Sequence, residues 1–175
     1  MSPAFYLFIL ILILLILLFT LGYIIYINFI QPGAIYYPSK APDIKKMLNL
    51  AQVDPKDTVL DFGSGDGCIL LAAARRGAKA IGYEIDPLLV RQSRQAAKTA
   101  KLDHLITIHC QSMWHADFSS VTVVTLYLFP HFMNRLQKIL DKKLNHPIKL
   151  VSNQYQFPDK KYTKKNGKIF LYHFK

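Results

Sequence analysis

Cysteines and acidic side chains are scarce in this chain of 175 residues. The 2 cysteines, Cys68 and Cys110, lie in apolar patterns, so we expect buried free thiols in a reducing compartment and no disulfide. The 6 histidines lack the spacing of metal ligands, which argues against a metal site. Only 11 acidic residues stand against 22 Lys and Arg, and the net charge of +11 suits nucleic acid and an anionic membrane surface equally.

Charge is absent altogether from residues 3–30, where Ile, Leu, Phe and Tyr fill nearly every position. This run exceeds the ~20 apolar residues that a helix needs to cross a bilayer. It lacks the basic start and the small-residue cleavage site of a signal peptide. We therefore expect residues 1–30 to form a retained, tilted transmembrane anchor. The first basic residues, Lys40, Lys45 and Lys46, follow it, so the positive-inside rule places the remaining chain on the cytoplasmic side.

The rest of the chain divides into a connecting segment and a domain. Residues 31–52 predict a linker and then a short amphipathic helix, because Ile44, Met47, Leu48 and Ala51 share one helical face. Residues 53–175 alternate between apolar strands and helices, which indicates a doubly wound, mostly parallel α/β sheet. The pattern predicts strands at 58–62, 79–85, 105–110, 121–128, 148–153 and 168–174. It predicts helices at 69–76, 87–100 and 132–144.

A glycine-rich turn follows the first predicted strand, where open α/β sheets bind ligands. Its sequence, Asp-Phe-Gly-Ser-Gly-Asp-Gly at 61–67, differs from the G-x-G-x-x-G of dinucleotide binders. Carboxylates inside the turn would repel a pyrophosphate but suit a ligand with an ammonium and a sulfonium, which points to S-adenosylmethionine. The residues predicted to hold this cofactor in the turn are Asp61, Gly63, Ser64, Gly65, Asp66 and Gly67.

An acid ends the second predicted strand, and this strengthens the assignment. Glu84 stands where a carboxylate can accept hydrogen bonds from both ribose hydroxyls of a nucleoside. We expect Ile85 and Asp86 beside the adenine. The alternative is that Glu84 is a surface carboxylate without a task.

These motifs resemble the seven-strand class I S-adenosylmethionine-dependent methyltransferases. The similarity rests on the turn at 61–67, on Leu-Ala-Ala-Ala at 71–74 and on Gly-Tyr-Glu at 82–84. More narrowly, the chain resembles the membrane-anchored lysine methyltransferases of the ATP synthase c-subunit and the adenine nucleotide translocase. Further shared pieces are Tyr-Pro-Ser at 37–39, Trp114, Tyr-Leu-Phe-Pro at 127–130 and Phe-Pro at 157–158.

The resemblance implies a Rossmann-like fold and a further set of site residues. Gln111 and Ser112 stand where the family usually carries an acid, and either can hydrogen-bond the adenine amino group. Trp114 is either an adenine wall or ordinary packing. The animal enzymes are mitochondrial, but no Arg-rich presequence is present here. We therefore favour a bacterial inner membrane, with the mitochondrial inner membrane as the alternative.

The end of the fourth strand should face the methyl group in this fold. Tyr127 and Pro130 belong to an aromatic and apolar rim there, and Asn153 ends the fifth strand. These three residues are the predicted catalytic set, because an apolar slot lowers the pKa of a lysine amine and polar atoms can orient it. The alternative is that residues 127–130 are a strand end followed by a helix-starting proline, and that they only contribute to core packing. Near the end of the chain, five lysines form a cluster: Lys160, Lys161, Lys164, Lys165 and Lys168. We predict that this cluster is a solvated loop rather than a lipid or substrate contact.

The leading functional hypothesis is lysine N-methylation of a membrane or membrane-proximal protein, with the bilayer and that protein as partners. The runner-up is methylation of a small or lipid amine at the bilayer surface. Nucleic-acid methylation rests on charge alone, and the N/D-P-P-Y/F tetrad is absent after the fourth strand, so we expect no nucleic-acid partner. A non-catalytic cofactor-binding scaffold is the fourth alternative, because of Gln111.

Overall fold

The chain divides into two compact units, Met1–Gly33 and Ala34–Lys175. The structure is a computed structural model that describes residues 3–25 and 36–175. The end of the predicted anchor and the start of the predicted linker lie outside the described residues.

The first unit is a single apolar helix, α1, at Pro3–Ile25. At ~1.5 Å per residue its 23 residues measure about 35 Å, as long as a bilayer core is thick. Residues Pro3–Tyr23 have a mean hydropathy of 3.1 and bury no side chain inside the structure. Within the described residues this is the one helix long and apolar enough to cross a membrane, a test that signal sequences also pass.

The second unit is a seven-stranded sheet with helices on both faces. The predicted amphipathic helix is present as α2, and the predicted alternation follows it. The helices are α2 Ala41–Leu50, α3 Cys68–Ala74, α4 Pro87–Thr99 and α5 Pro130–Lys143, with a 3₁₀ turn at Met113–His115. The strands are β1 Thr58–Phe62, β2 Lys79–Glu84, β3 Ile106–Cys110, β4 Val123–Leu126, β5 Ile148–Asn153, β6 Lys164–Asn166 and β7 Ile169–Phe174.

The strand order is β3-β2-β1-β4-β5-β7-β6. The five strands from β3 to β5 are parallel, whereas β7 runs antiparallel to β5 and pairs antiparallel with β6. The chain winds outward from β1 to one side and then from β4 to the other. The switch point between β1 and β4 is where such sheets bind ligands, at the carboxyl ends of the strands.

The alternation of side chains along the strands builds two separate cores. All five residues of β1 are buried, and its odd and even positions face opposite sides of the sheet. Leu60 and Phe62 belong to the core that contains the apolar face of α5. Val59 belongs to the core on the other face, which is completed by α2, α3 and α4. Burial of each large aliphatic side chain contributes ~1.5–3 kcal/mol, so both helical layers hold the sheet in place.

Two expectations were wrong. The lysine cluster does not form only a loop, because Lys164–Asn166 pair with β7 as an edge strand. All three side chains are exposed, so no alternation of apolar residues marked this strand. Cys110 is not buried but exposed at the end of β3, and Cys68 is half-buried. The physical reason is that β3 lies at one edge of the sheet, where only Ile108 of its five residues is buried.

Candidate cofactor and acceptor site

The glycine turn between β1 and α3 adopts a backbone that other residues avoid. Gly63, Gly65 and Gly67 have φ angles of +69°, +53° and +80°. Only glycine enters this left-handed region without steric cost. The amides of Gly63 and Ser64 both donate to the carbonyl of Tyr83, at 2.9 and 3.1 Å. The turn is therefore tied to β2 and held open at the switch point.

The three glycines of the turn leave room for different neighbouring groups. A Cβ on Gly67 would collide with the hydroxyl of Ser93 on α4, so this glycine allows helix packing. A Cβ on Gly65 would overlap the ring of Tyr36, which lies directly on the turn. A Cβ on Gly63 would meet nothing within 4 Å among the described residues. Gly63 therefore borders open space that a ligand can enter.

Glu84 ends β2 beside the turn and is 8% exposed. Its Oε2 accepts from the amide of Gly65 at 2.9 Å, and its Oε1 accepts from Ile85 and Asp86 at 2.8 and 2.9 Å. A carboxylate offers about four acceptor positions, so three are filled by the backbone. The remaining position is on Oε2, which faces the turn. Binding two ribose hydroxyls would require Glu84 to release a backbone amide.

Asp61 is buried in β1 and its carboxyl group carries the largest electrostatic perturbation of the turn. Burial is the main cause that raises the pKa of Asp61 to about 8; a hydrogen bond from Thr125 opposes it, and the nearby carboxylates of Glu84 and Asp66 add to it. That bond, from the Thr125 hydroxyl to Oδ1, measures 2.8 Å. A cation placed in the turn would favour the ionised form of Asp61.

Two buried polar side chains at this edge of the sheet have no hydrogen-bond partner in the part of the chain that the structure describes. One is the hydroxyl of Ser64 in the turn, and the other is the whole amide of Asn153 at the end of β5. They are 4% and 1% exposed. An unsatisfied buried polar group costs ~1–3 kcal/mol, so any partner that completed these bonds would stabilise the folded protein.

These features fit S-adenosylmethionine. The carboxyl groups of Asp61 and Asp66 suit its ammonium and sulfonium, and Glu84 offers the free acceptor position on Oε2. The Ser64 hydroxyl lies against Gly82 of β2, so its contact with the cofactor stays a prediction. The turn at Gly63 leaves room for close approach. Among residues 3–25 and 36–175, no group of three or more His, Cys, Asp or Glu could hold a metal ion.

The predicted adenine contacts follow β3. Gln111 is exposed and Ser112 is half-buried, where its carbonyl accepts from the amide of His115 at 3.0 Å. Trp114 packs against Phe132 at 5.9 Å between ring centroids, and the guanidinium of Arg135 lies 4.1 Å from its ring. Trp114 therefore has packing partners of its own, and its contact with adenine stays a prediction.

The predicted catalytic residues gather at the ends of β4 and β5. The register pairs Thr125 with Val151 and Leu126 with Ser152, so Tyr127 and Asn153 each follow the last pair at the ends of neighbouring strands. The Tyr127 hydroxyl donates to Oε1 of Gln154 at 2.9 Å. Pro130 is exposed and is the first residue of α5, where the N–H that proline lacks would have no partner within the helix.

Residues 36 and 37 reach this site, although the sequence placed them in a linker. The ring of Tyr36 covers Gly65, and burial together with the nearby Asp66 raises its pKa. The ring of Tyr37 packs on Tyr127 with 5.7 Å between centroids. The available signal in the sequence is the pair of tyrosines before Pro38, of which Tyr37 belongs to the Tyr-Pro-Ser shared with the family.

The fold, the glycine turn and the acid at the end of β2 together define the fold of the class I S-adenosylmethionine-dependent methyltransferases. The sequence profile of the ANTKMT methyltransferase domain matches residues 61–164. The chain belongs to this family of methyltransferase domains.

Individual relatives agree with this family. The lysine N-methyltransferase of the ATP synthase c-subunit from Xenopus laevis is 32% identical over 124 residues, which are 71% of this chain and 54% of the relative. The corresponding human enzyme is 28% identical over 123 residues and is covered to 52%. The chain thus spans about half the length of these curated relatives. A protein-lysine N-methyltransferase of Saccharolobus islandicus is 29% identical over 127 residues and is covered to 79%.

One solved structure matches with similar strength. An RNA methyltransferase from Salinibacter ruber in complex with S-adenosyl-L-homocysteine is 36% identical, with a TM-score of 0.74. The match covers 79% of this chain and 92% of that one. The bound product of the methyl donor in this neighbour supports the cofactor assignment.

Proposed function

We propose that this chain is a membrane-anchored protein-lysine N-methyltransferase. The observation that carries the proposal is the meeting, at one edge of the sheet, of an acidic glycine turn with an aromatic rim and the unpartnered amide of Asn153. The first half suits a cationic cofactor and the second half suits an amine. The protein-lysine methyltransferases among its relatives support this choice of acceptor.

The cofactor half holds and orients the methyl donor. Bound S-adenosylmethionine supplies an electrophilic methyl group on sulfur. The residues proposed to hold it are Asp61, Gly63, Ser64, Gly65, Asp66, Gly67, Glu84, Ile85, Gln111, Ser112 and Trp114. Asp61 is held by the Thr125 hydroxyl and Glu84 by backbone amides, so both carboxyl groups are oriented before the ligand arrives. Glu84 accepts one ribose hydroxyl at its free position on Oε2, and a second only by releasing a backbone amide.

The acceptor half must position an amine and let it lose a proton. A lysine with a pKa of ~10.4 is almost fully charged at neutral pH, and an apolar surrounding lowers this value. Tyr127 and Pro130 supply such a surrounding, and Asn153 can accept a hydrogen bond from the amine through Oδ1. Holding the amine in line with the methyl group removes much of the entropic barrier to transfer.

We propose that α1 is a membrane anchor and that the substrate lies at the membrane. We keep the boundaries 1–30 for the anchor, 31–52 for the connecting segment and its helix, and 53–175 for the catalytic domain. The length and hydropathy of α1 support the anchor. The net charge of +11 favours an anionic bilayer surface, and the lysines after α1 favour a cytoplasmic domain. The bacterial inner membrane remains our preferred location, with the mitochondrial inner membrane as the alternative.

The test is methylation of membrane extracts by the full chain in the presence of radiolabelled S-adenosylmethionine. We expect label that protease releases and that nuclease or lipid extraction does not. Mass spectrometry should then locate methyl groups on lysine. The full chain with Asp61→Ala serves as the control that removes the cofactor site. Label that only lipid extraction removes would replace the protein acceptor by a lipid amine.

The anchor is tested in cells. Deletion of residues 1–30 should sharply reduce methylation of the membrane substrate, and an unrelated single-span anchor of the same orientation should restore much of it. The physical reason is that an anchor raises the effective concentration of the catalytic site next to the bilayer, where the proposed substrate lies. Equal methylation by the soluble form would contradict a membrane substrate.

RNA methylation is the second candidate. The Salinibacter ruber structure favours it, as does the exposed basic face of α5, where Arg135, Lys138 and Lys142 follow one another at helical spacing. In the same labelling experiment, release of the label by ribonuclease alone would establish this function and exclude lysine as the acceptor.

A further inference from the structure

An open groove of about 410 Å³ lies between α2 and α3, and none of its lining residues belongs to the cofactor or acceptor half of the site. The floor of the groove is aliphatic, with Ile44 and Leu48 from α2 and Leu71 and Ala72 from α3. Ile44 and Leu48 are buried in the core, whereas Leu71 and Ala72 are only half-buried. The two helices therefore leave apolar surface uncovered between them, in a volume within the ~300–1,000 Å³ of small-molecule sites.

The rim of this groove is cationic. It carries Lys45 of α2 and, directly after α3, Arg75 and Arg76. The guanidinium of Arg76 donates to Oδ1 of Asn49 at 2.6 Å, which holds it beside α2, and this bond uses one of its five N–H donors. Among residues 3–25 and 36–175, no carboxylate forms an ion pair with any of the three cations. The rim therefore offers free positive charge and free donors to a ligand.

Positive charge above an aliphatic floor suits a ligand with an anionic head and a hydrocarbon chain. The single acid of α2, Asp43, is 8% exposed and pairs with Lys168 at 3.1 Å, so it leaves the charge of the rim uncompensated. No aromatic ring of the described residues lines the groove, which disfavours a nucleic acid, because single strands are held by stacking of bases on such rings.

The position of the groove in the chain favours a membrane lipid. Lys40, Lys45 and Lys46 are the first basic residues after α1. Basic clusters directly after a spanning helix attract anionic headgroups. The fold adds Arg75 and Arg76 to this cluster from a segment 30 residues further along, which no reading of the linker alone would include.

We propose that the groove between α2 and α3 binds one anionic phospholipid, with its phosphate between Lys45, Arg75 and Arg76 and an acyl chain along the aliphatic floor. This inference goes beyond the methylation reaction. It rests on the proposed function in one point, the anchor, which keeps the domain next to a bilayer. Because α3 begins directly after the cofactor turn, a lipid held here attaches to the bilayer surface the same helix that follows the turn.

The test compares two lipids with the same acyl chains. Palmitoyl-oleoyl phosphatidylglycerol and the matching phosphatidylcholine are titrated into the full chain in non-ionic detergent, and bound lipid is counted by native mass spectrometry. We expect phosphatidylglycerol to bind about 10- to 100-fold more tightly, because phosphatidylcholine brings a quaternary ammonium to a cationic rim. Glycerol 3-phosphate, which lacks acyl chains, should bind at least about tenfold more weakly than phosphatidylglycerol, since it cannot use the floor. Equal affinity of the two lipids, or of phosphatidylglycerol and glycerol 3-phosphate, would overturn the proposal.

Charge variants locate the lipid. Lys45→Gln combined with Arg75→Gln removes two of the three rim cations and should lower the affinity for phosphatidylglycerol by about tenfold or more. Lys138→Gln combined with Lys142→Gln is the matched control, because it removes the same charge from the exposed basic face of α5. Equal loss in the two double variants would contradict the groove, since net charge alone would then explain the preference.

Ala72→Phe tests the floor, because it keeps every charge but puts a ring into the groove. Affinity for phosphatidylglycerol should fall at least about tenfold, while affinity for S-adenosylmethionine stays within about threefold of the parent and shows that the domain is folded. If Ala72→Phe does not fold, the two double variants decide. Unchanged lipid affinity in folded Ala72→Phe would overturn the groove as the site. A parent chain that sediments as a dimer, and as a monomer with Ala72→Phe, would assign the groove to a second copy instead.

The outcome for the proposed function is read separately. If phosphatidylglycerol is preferred and depends on Lys45 and Arg75, but labelled membranes carry no methyl-lysine, the lipid site stands and the lysine acceptor fails. If lysine is methylated and the double variant at Lys45 and Arg75 binds phosphatidylglycerol as the parent does, the enzyme stands and the lipid site fails.

Discussion

The two halves of the site are built in opposite ways. In the cofactor half, one stretch of seven residues and one acid make the surface, and backbone amides fill most of the acceptor positions of Glu84. In the acceptor half, side chains from three distant segments meet, and the amide of Asn153 has no partner within residues 3–25 and 36–175. The difference indicates that backbone hydrogen bonds fix the cofactor half, whereas the proposed acceptor half depends on side-chain packing between distant segments.

The largest loss of cofactor affinity is expected for Gly65→Val. A β-branched residue at φ +53° is strained, and its Cβ would overlap the ring of Tyr36. We expect affinity for S-adenosylmethionine to fall on the order of 1000-fold, measured by calorimetry on the full chain in detergent. Gly167→Val is the matched control, because Gly167 has a φ of +59° with open space around it. Equal loss in both variants would show that strain alone, and not the turn, is responsible.

Glu84→Ala tests whether the acid at the end of β2 holds the ribose. Loss of a charged acceptor should cost about 30- to 1000-fold in cofactor affinity. Glu84→Gln keeps the shape and should lose less, while Asp159→Asn at an exposed carboxyl controls for net charge. Affinity within threefold of the parent in Glu84→Ala would mean that the carboxylate only fastens the turn to β2.

The buried carboxyl of Asp61 predicts a pH dependence. Its pKa is raised from an ordinary value near 3.8 to about 8, so the folded state binds the extra proton between these values. The stabilising contribution of the protonated carboxyl is complete below pH ~4 and is lost as the pH rises through ~8. We expect the free energy of unfolding to fall by up to ~1.4 kcal/mol per pH unit in this window, relative to Asp61→Asn.

Cofactor binding should change in the opposite direction. A cationic ligand favours the ionised Asp61, so affinity should rise by up to about tenfold per pH unit below pH ~8, with release of a proton. Asp61→Asn should abolish this slope. Affinity that is flat with pH in the parent would show that the sulfonium and ammonium do not interact with this carboxyl.

The smallest effect is expected for a substitution of Asn153 in the proposed acceptor half. Asn153→Leu removes an unsatisfied buried amide in favour of a side chain of similar size, so the protein should gain ~1 kcal/mol of stability. The same change should lower kcat/KM for the acceptor about tenfold and leave cofactor affinity unchanged. Asn134→Leu on the exposed face of α5 is the control. A loss of stability would mean that Asn153 serves packing and has no unused hydrogen-bonding capacity.

Local patterns were enough to predict most of the fold. The strand at 58–62 was predicted with its observed ends, and Asp86 caps α4 next to Pro87, as a helix-starting proline indicates. The strand at 148–153 also has its predicted ends, whereas the boundaries of the other predicted elements moved by one to a few residues, as those of α3 did. The edge strand at Lys164–Asn166 was missed, because an exposed strand lacks the apolar alternation that reveals a buried one.

The sequence by itself determined the alternating sheet, the glycine turn, the acid after β2 and the long apolar helix. Each of these depends on residues close together in the chain, whose spacing carries the periodicity of strands, helices and turns. Only the tertiary structure decided that Asp61 is buried enough for its pKa to reach about 8, and that Tyr36 and Tyr37 lie across both halves of the site. The physical reason is that burial and ring contacts join residues far apart in sequence, and packing alone determines which of them meet.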